Sequence, residues 1–409
     1  MTSADQRQRV SSGQLWYDAI AEVLRVSRYR VTDELPSVVA AATSRLGLRI
    51  TLYLADLEQQ ALHPLPGQDW TAPTPLRINA SLAGRAFTQT ETVNADRRRL
   101  WVPVLDGTER LGVMLVEASA EAATDEAALR DGAGTLANLL GHLIAAKFPY
   151  GDSLQRVRRT QPMSEASELL AALLPPLTYT CDRAVVSAIL EPAYEVGGDG
   201  FDYAVGAMHA KLAVYDAMGH GIRAGLTTAL ALAATRAARR DGHGLYSLAR
   251  AADERIQEEF GEEARFVTAV LADLNMDSGV VRYLNAGHPA PLLLRGTKVV
   301  GHLTGGRRLP LGLDDPAIEV AEEQLQPGDR ILVYTDGVTE ARDAEGEAFG
   351  VQRLIDLLER HAAARMSVPE TLRRLSHAVQ GHRRARLDDD ATMLLVEWVP
   401  GGPMVQPPG

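Results

Sequence analysis

The chain is 409 residues long, more than a single hydrophobic core serves well, so two or more domains are expected. Hydrophobic residues make up 46% and charged residues 23%, an ordinary soluble globular balance in which nothing calls for disorder, collagen-like repeats or a coiled-coil rod. The net charge of −11 disfavours general affinity for nucleic acid or an anionic membrane, and the one cysteine, Cys181, excludes an internal disulfide framework and a cysteine-rich zinc site.

The first ten residues are polar and carry no apolar stretch behind a basic start, so no secretory signal is expected. No run approaches about 18 uninterrupted apolar residues, the length a membrane-spanning helix needs. The most apolar stretches, Leu136 to Ala146 and Leu226 to Ala238, are interrupted by Asn138, His142, Thr235 and Arg236. Together with the lone thiol, these features point to a cytoplasmic protein in a reducing compartment.

Residues 1–29 are predicted to form a helical segment, with Leu15, Ile20, Val23, Leu24 and Val26 as its apolar face. A second helix is expected from Leu35 to Leu46, and the alternation from Arg49 to Ala55 predicts a strand. Gly, Pro and Trp punctuate Pro64 to Pro75 as a loop, and Ser81 to Thr88 opens a short helix. Strands at Arg99–Leu105 and Arg110–Glu117 flank Asp106-Gly107, a hairpin signal, and a long helix from Asp125 to Lys147 follows.

Across 30–148 this order resembles a GAF domain, a small α+β sensor fold. The residues carrying the resemblance are Ser81-Leu-Ala-Gly-Arg-Ala-Phe87, Leu100-Trp-Val-Pro-Val-Leu105 and Leu111-Gly-Val-Met-Leu-Val116. It implies either a site for a small-molecule or protein ligand or a ligand-free dimerisation and docking unit. The segment holds no cysteine, which excludes a thioether-linked chromophore. His63 and His142 are conceivable haem ligands, but a lone histidine is more often a packing or surface residue. Residues 149–179 form a linker with Arg156, Arg158 and Arg159 and a helix at Ser164–Leu174, stopped by Pro175-Pro176.

From Ala184 the pattern turns to strands with glycine-rich, acidic ends. Strands are predicted at Ala184–Ala193, Lys211–Tyr215, Phe266–Leu274, Val280–Leu284, Pro291–Leu294, Arg330–Thr335 and Thr392–Val399. Helices are predicted at Ala224–Arg240, around Leu245 to Phe260, at Val351–His361 and at Pro369–Gly381. Strands packed face to face with helices outside make a four-layer α-β-β-α sandwich the natural architecture. Asp216 and Asp336 each follow an apolar strand directly, and Asp389 stands just before the last one. Clustered carboxylates repel one another unless a cation compensates them, and oxygen donors suit Mg²⁺ or Mn²⁺. Two such ions sharing a carboxylate can acidify a water near neutral pH.

An Asp-Gly pair alone is most often a turn, and Asp388-Asp389-Asp390 alone reads as a solvated loop. The ordered set is more specific. It comprises Glu191-Pro-Ala-Tyr-Glu-Val-Gly-Gly-Asp-Gly-Phe-Asp202, Asp216-Ala-Met-Gly-His-Gly221 and Asn285-Ala-Gly-His-Pro289. It continues with Leu309-Pro-Leu-Gly-Leu313, Gly328-Asp-Arg-Ile-Leu-Val-Tyr-Thr-Asp-Gly-Val-Thr-Glu-Ala341 and Asp389-Asp-Ala-Thr-Met-Leu-Leu395. In this order the motifs resemble the PPM (type 2C) serine/threonine phosphatases, in their SpoIIE/RsbU branch, over 180–399, leaving 400–409 as a tail. The resemblance implies that Asp216 bridges two divalent cations, Mn²⁺ or Mg²⁺, with the carbonyl of Ala217 facing one of them. Asp336 and Asp389 would complete one metal site and Asp199 would serve the other. Asp202 and Asp390 are second-tier candidates for orienting water or ligands, while His220 and His288 are candidates for general acids, against a role in this branch of shaping glycine-rich loops. Gly200 departs from the family by replacing the aromatic that commonly follows Gly-Gly-Asp.

The implied activity is hydrolysis of phosphoserine or phosphothreonine on a protein. The branch implies a phosphorylated STAS-domain anti-sigma-factor antagonist as substrate, and the order of sensor, helix and enzyme suggests control by the N-terminal domain within a homodimer. Neither nucleic acid nor membrane insertion is expected. Two other readings stay open: a non-catalytic signalling scaffold, and a hydrolase of small phosphorylated metabolites.

Overall fold

The computed structural model describes residues 3–66, 74–119, 126–191, 194, 197–261, 263–316, 319–383 and 390–401, with the backbone alone for 3–12. The chain divides into two compact units, the first running to Gln161 and the second from Pro162. Among the described residues no helix is long and apolar enough to cross a membrane.

The first unit is α+β. It runs α1 (Ser3–Ser27), α2 (Leu35–Thr43), β1 (Leu48–Ala55), β2 (Ala61–Pro64), β3 (Leu76–Arg77), α3 (Leu82–Gln89), β4 (Val93–Asn94), β5 (Arg99–Asp106), β6 (Glu109–Ala118), α4 (Glu126–Lys147) and α5 (Ser153–Arg158). The strands form one antiparallel sheet in the order β3-β2-β1-β6-β5-β4. One face packs on α1, α2 and α4 through Trp16, Val23, Val39, Leu136, Leu140 and Ile144; the other packs on α3 through Ala86 and Phe87. On α1 the buried stripe is Trp16, Ala19 and Val23, so Leu15 and Leu24, expected on the apolar face, remain exposed. Ser81 caps α3 by accepting from the Gly84 N–H at 2.9 Å. The strands β2, β3 and β4 carry no alternating pattern of useful length, and only pairing with their neighbours makes them strands.

The second unit runs α6 (Glu165–Leu173), β7 (Thr178–Thr180), β8 (Ala184–Glu191), β9 (Asp199–Val205), β10 (His209–Ala217), α7 (Ile222–Arg240), α8 (Leu245–Phe260), β11 (Val267–Asn275) and β12 (Val280–Ala286). It continues with β13 (Leu292–Arg295), β14 (Lys298–His302), β15 (Arg307–Arg308), β16 (Ala321–Gln324), β17 (Arg330–Tyr334), the helical turn α9 (Asp336–Thr339), α10 (Val351–Ala363), α11 (Val368–His382) and β18 (Ala391–Trp398). One sheet has the order β15-β12-β11-β10-β9, with β16 also on β12; the other has the order β14-β13-β17-β18-β8-β7.

Strand periodicity sorts the side chains into three cores. Ala210, Leu212 and Val214 of β10 meet Ile331 and Val333 of β17 and Leu394 and Val396 of β18 between the sheets. The alternate residues Ala213, Tyr215 and Ala217 face α7 and α8, and Leu332, Tyr334, Met393 and Leu395 face α10 and α11. This is the four-layer α-β-β-α sandwich. The near-continuous apolar run of β18 reflects burial on both of its faces, whereas α10 and α11 are amphipathic because each covers one face only.

Candidate metal centre

The site is built where the two facing sheet surfaces meet at one rim. Asp199 opens β9 and Asp216 lies near the end of β10, and the antiparallel register sets them directly opposite each other. Asp199 shares its face with Phe201, and Asp216 shares its face with Leu212 and Val214, so both carboxylates point between the sheets. Directly opposed Cβ atoms on one sheet face lie about 4.5–5.5 Å apart, and like charges there repel. On the other side of Asp216 the register places Thr268 of β11, whose hydroxyl donates to the Asp216 Oδ2 at 3.4 Å.

The second sheet supplies the opposite lip. Thr335 follows β17 and, fully buried, donates from Oγ1 to the Asp199 Oδ2 at 2.8 Å. The Thr392 backbone N–H donates to that same hydroxyl at 2.9 Å, tying β18 to it. Asp336 is the next residue and begins α9, half-buried. Gly337 is forced to be glycine here, because a Cβ would lie 1.7 Å from the Asp390 carbonyl oxygen. Asp390 lies at the entry to β18 with 4% of its surface exposed, and its Oδ2 accepts from the N–H groups of Gly197, Gly198 and Asp199 at 2.5, 2.7 and 3.2 Å. Asp390 is therefore the strap that holds the glycine loop carrying Asp199. The hydroxyl of Thr228, on α7, supports the same loop by donating to the Gly198 carbonyl.

Electrostatics sharpen the picture. Burial pushes the Asp199 carboxyl well above the usual carboxylate range, and Asp216 and Asp390 push it further; only the Thr335 and Thr392 hydroxyls favour its ionised form. Asp390 is also raised by burial, with the Gly198, Asp199 and Gly197 N–H groups and Arg383 opposing. A buried carboxylate facing further carboxylates is the setting a hard cation relieves. The paired oxygen donors of Asp199 and Asp216 fit such an ion. Among the described residues no group of three or more His, Cys, Asp or Glu side chains is gathered around one ion position. Asp389, the fourth expected ligand, lies outside the described residues.

The other sequence candidates are placed differently. The Ala217 methyl faces α7, and a Cβ at Gly198 would meet the Ala217 carbonyl oxygen at 2.8 Å, so that carbonyl lies against the glycine loop. Asp202 is not at the rim. It sits an odd number of residues from Asp199 on β9 and so points to the helix side, where Arg236 and Arg239 donate to it at 2.7 and 2.9 Å. His220 is exposed, its backbone packed against Gly197. His288 is 1% exposed, and burial pulls its imidazole down to about 3 despite the Tyr334 backbone, so the ring is neutral. Its Nδ1 lies 2.9 Å from the Thr268 Oγ1. Local sequence pattern does not single out Thr268, Thr335 or Thr228; for Thr268 and Thr335 the one signal is a β-branched hydroxyl residue at a strand end, and Thr228 lies inside a helix.

Residues 207–399 match the family described as Stage II sporulation protein E (SpoIIE). The chain is 24% identical over 240 residues to Protein IcfG of Synechocystis sp., covering 52% of this chain and 37% of that protein. It is 26% identical over 215 residues to Phosphoserine phosphatase RsbU of Bacillus subtilis, covering 52% and 62%. Among solved structures, the SiaA-PP2C domain of Pseudomonas aeruginosa superposes with a TM-score of 0.49 at 24% identity, covering 62% of this chain and 98% of that one. The chain thus spans less than two thirds of the length of these curated relatives. The motif order, the sandwich and the sequence match agree: residues 207–399 of the second unit are similar to the SpoIIE family, and the unit resembles the SpoIIE/RsbU branch of the PPM phosphatases.

Proposed function

We propose that the second unit hydrolyses phosphoserine or phosphothreonine on a regulatory protein, using divalent cations held at the inter-sheet rim. The observation that carries the reading is the directly opposed pair Asp199–Asp216, with Asp199 buried and pressed toward protonation by its carboxylate neighbours. Asp199, Asp216, Asp336 and Asp389, with the carbonyl of Ala217, would hold two ions, Mn²⁺ or Mg²⁺. Bound there, the ions supply charge neutralisation for a phosphoryl group and activation of a water. The protein's own part is to aim the carboxylates: Thr335 orients Asp199, Thr268 orients Asp216, and Asp390 fixes the loop between the sheets. Similarity to a phosphoserine phosphatase supports a phosphoprotein substrate, and the branch favours a STAS-type anti-sigma-factor antagonist in a partner-switching circuit.

We further propose that the first unit is a GAF-like sensor that acts through α6 within a homodimer. Two contacts within the second unit support a transmitting role for α6. Gly225 of α7 has no room for more than Ala166 beside it, with a built Cβ 3.3 Å from the Ala166 methyl, and Arg236 donates to the Leu173 carbonyl at 2.9 Å. A fragment covering 162–405 with the metal affinity and turnover of the full chain would remove this proposal.

The deciding experiment is Mn²⁺-dependent release of phosphate from phosphorylated STAS proteins of the same genome. Loss of turnover in Asp216→Asn is expected. Equal turnover of a small aryl phosphate and the phosphoprotein would instead favour a metabolite hydrolase, and no turnover of either would favour a scaffold.

A further inference from the structure

At the β9–β10 hairpin of the second unit lies an open groove of about 640 Å³, bounded by the end of α6 and the last turns of α7. Small-ligand sites commonly measure roughly 300–1,000 Å³. The groove has an apolar lining that includes Leu174, Pro175 and Val205, and a cationic one made by Lys211 of β10 with Arg236, Arg239 and Arg240 of α7. None of these cations has a part in the proposed chemistry. They lie with Asp202 on the helix side of β9, away from the metal centre.

The charges in the groove do not balance. Arg236 and Arg239 are only 20% and 13% exposed, and both pair with one carboxylate, that of Asp202, at 2.7 and 2.9 Å. Lys211 is matched by Asp273 at 2.5 Å, whereas the exposed Arg240 has no ion-pair partner among the described residues. Three guanidiniums therefore face one carboxylate, and a largely buried charge without its own counter-ion is costly. Basic residues are favoured in the last turn of a helix, where Arg239 and Arg240 lie, but that preference does not account for two guanidiniums sharing one buried aspartate.

The guanidiniums also keep donors in reserve. Each carries five N–H groups. Arg236 donates from Nε and Nη2 to Asp202 and from Nη2 to the Leu173 carbonyl, and Arg239 donates from Nη2 to Asp202. Among the described residues, Arg236 Nη1 and Arg239 Nε and Nη1 donate to no protein group. Asp202 and the Leu173 carbonyl hold these forks in place before a ligand arrives, which lowers the ordering cost of binding. A planar fork matches the paired oxygens of a phosphate or a carboxylate.

We propose that this groove binds a small organic anion, with its phosphate or carboxylate group on Arg236, Arg239 and Arg240 and its apolar body against Leu174 and Pro175. The inference goes beyond the phosphatase reading and stands or falls independently of it.

The test is titration calorimetry of the full chain with phenylphosphonate, benzoate and benzyl alcohol, in EDTA so that no metal ion recruits the probe. The first two separate the oxyanions, and the third carries a similar body without charge. At least one of the anions is expected to bind about tenfold or more tighter than benzyl alcohol. Arg239→Gln should weaken that binding by about tenfold. Arg240→Glu should weaken it at least as much while leaving the thermal melt unchanged, because Arg240 is exposed. Should Arg239→Gln lower the melt through Asp202, Arg240→Glu decides the matter. No binding of either anion, benzyl alcohol binding as tightly as the anions, or wild-type affinity in Arg240→Glu would each overturn the proposal. Inorganic phosphate and acetate binding as tightly as phenylphosphonate and benzoate would leave an adventitious ion only. Hexaglutamate binding more tightly than benzoate would assign the groove to an acidic protein segment and overturn the small-ligand reading.

Discussion

Asp199 and Asp202 show how three positions along one strand separate chemistry from architecture. The first faces the other sheet and the second faces α7, paired with Arg236 and Arg239. Removing a buried ion-pair partner leaves charge uncompensated and costs about 3–5 kcal/mol. Asp202→Ala is therefore expected to lower the unfolding midpoint by several degrees in a thermal melt, while the Mn²⁺ affinity of the folded protein stays within error. Asp199→Asn should do the reverse, removing Mn²⁺ binding in calorimetry while leaving the melt in EDTA unchanged or higher, because it deletes a buried carboxyl that resists ionisation.

Two buried residues, His288 and Asp199, set opposite pH slopes. His288 is depressed to about 3 in the folded chain, against about 6.5 for a free histidine. Between those values the unfolded chain binds a proton that the folded one refuses, so this contribution to stability is full above about 6.5 and is lost on acidification. Asp199 is raised, so above about 3.9 the metal-free folded state holds a proton that the unfolded chain has released, and stability falls as pH rises toward its folded pKa. Melts in EDTA from about pH 4 to 7 should show a shallower loss on acidification for His288→Asn than for the wild type.

At the level of elements, the Gly337–Asp390 contact joins the loop after β17 to the entry of β18. Gly337→Ala would drive a Cβ into the Asp390 carbonyl and part these two segments. The expected outcome is loss of Mn²⁺ binding by at least tenfold together with a lower melt. On α10, Leu354 and Leu358 are fully buried against the second sheet. Leu358→Ala is expected to cost about 2–5 kcal/mol in urea unfolding without touching the rim.

Much of this is legible in the sequence. Strong alternation or long apolar runs gave β1, β5, β6, β8, β10, β17 and β18 to within a residue or two, and helical spacing gave α7, α10 and α11. The strand β9 was hidden, because Gly197-Gly198-Asp199-Gly200 reads as a turn and only pairing along β10 extends it. Without β9 the direction of Asp202 is undefined, since facing exists only once a strand register does. The roles of Thr268 and Thr335 depend on partners 52 and 136 residues away in sequence, which no local pattern encodes.

At the level of the whole molecule, each unit has hydrophobic cores of its own, so each is expected to unfold as a separate cooperative transition. Saturating Mn²⁺ at about a hundred times its Kd should stabilise the transition of residues 162–405 by about 2.7 kcal/mol in calorimetry. A parallel rise in the transition of residues up to Gln161 would measure the coupling proposed for the sensor unit.

The strap made by Asp390 has one more consequence, which concerns time. Three successive amides, those of Gly197, Gly198 and Asp199, end on a single carboxylate that belongs to the opposite sheet. None of them can exchange its hydrogen with solvent until the two sheets part at that end. Deuterium uptake at these three positions should therefore proceed in concert, and its rate counts how often the rim opens.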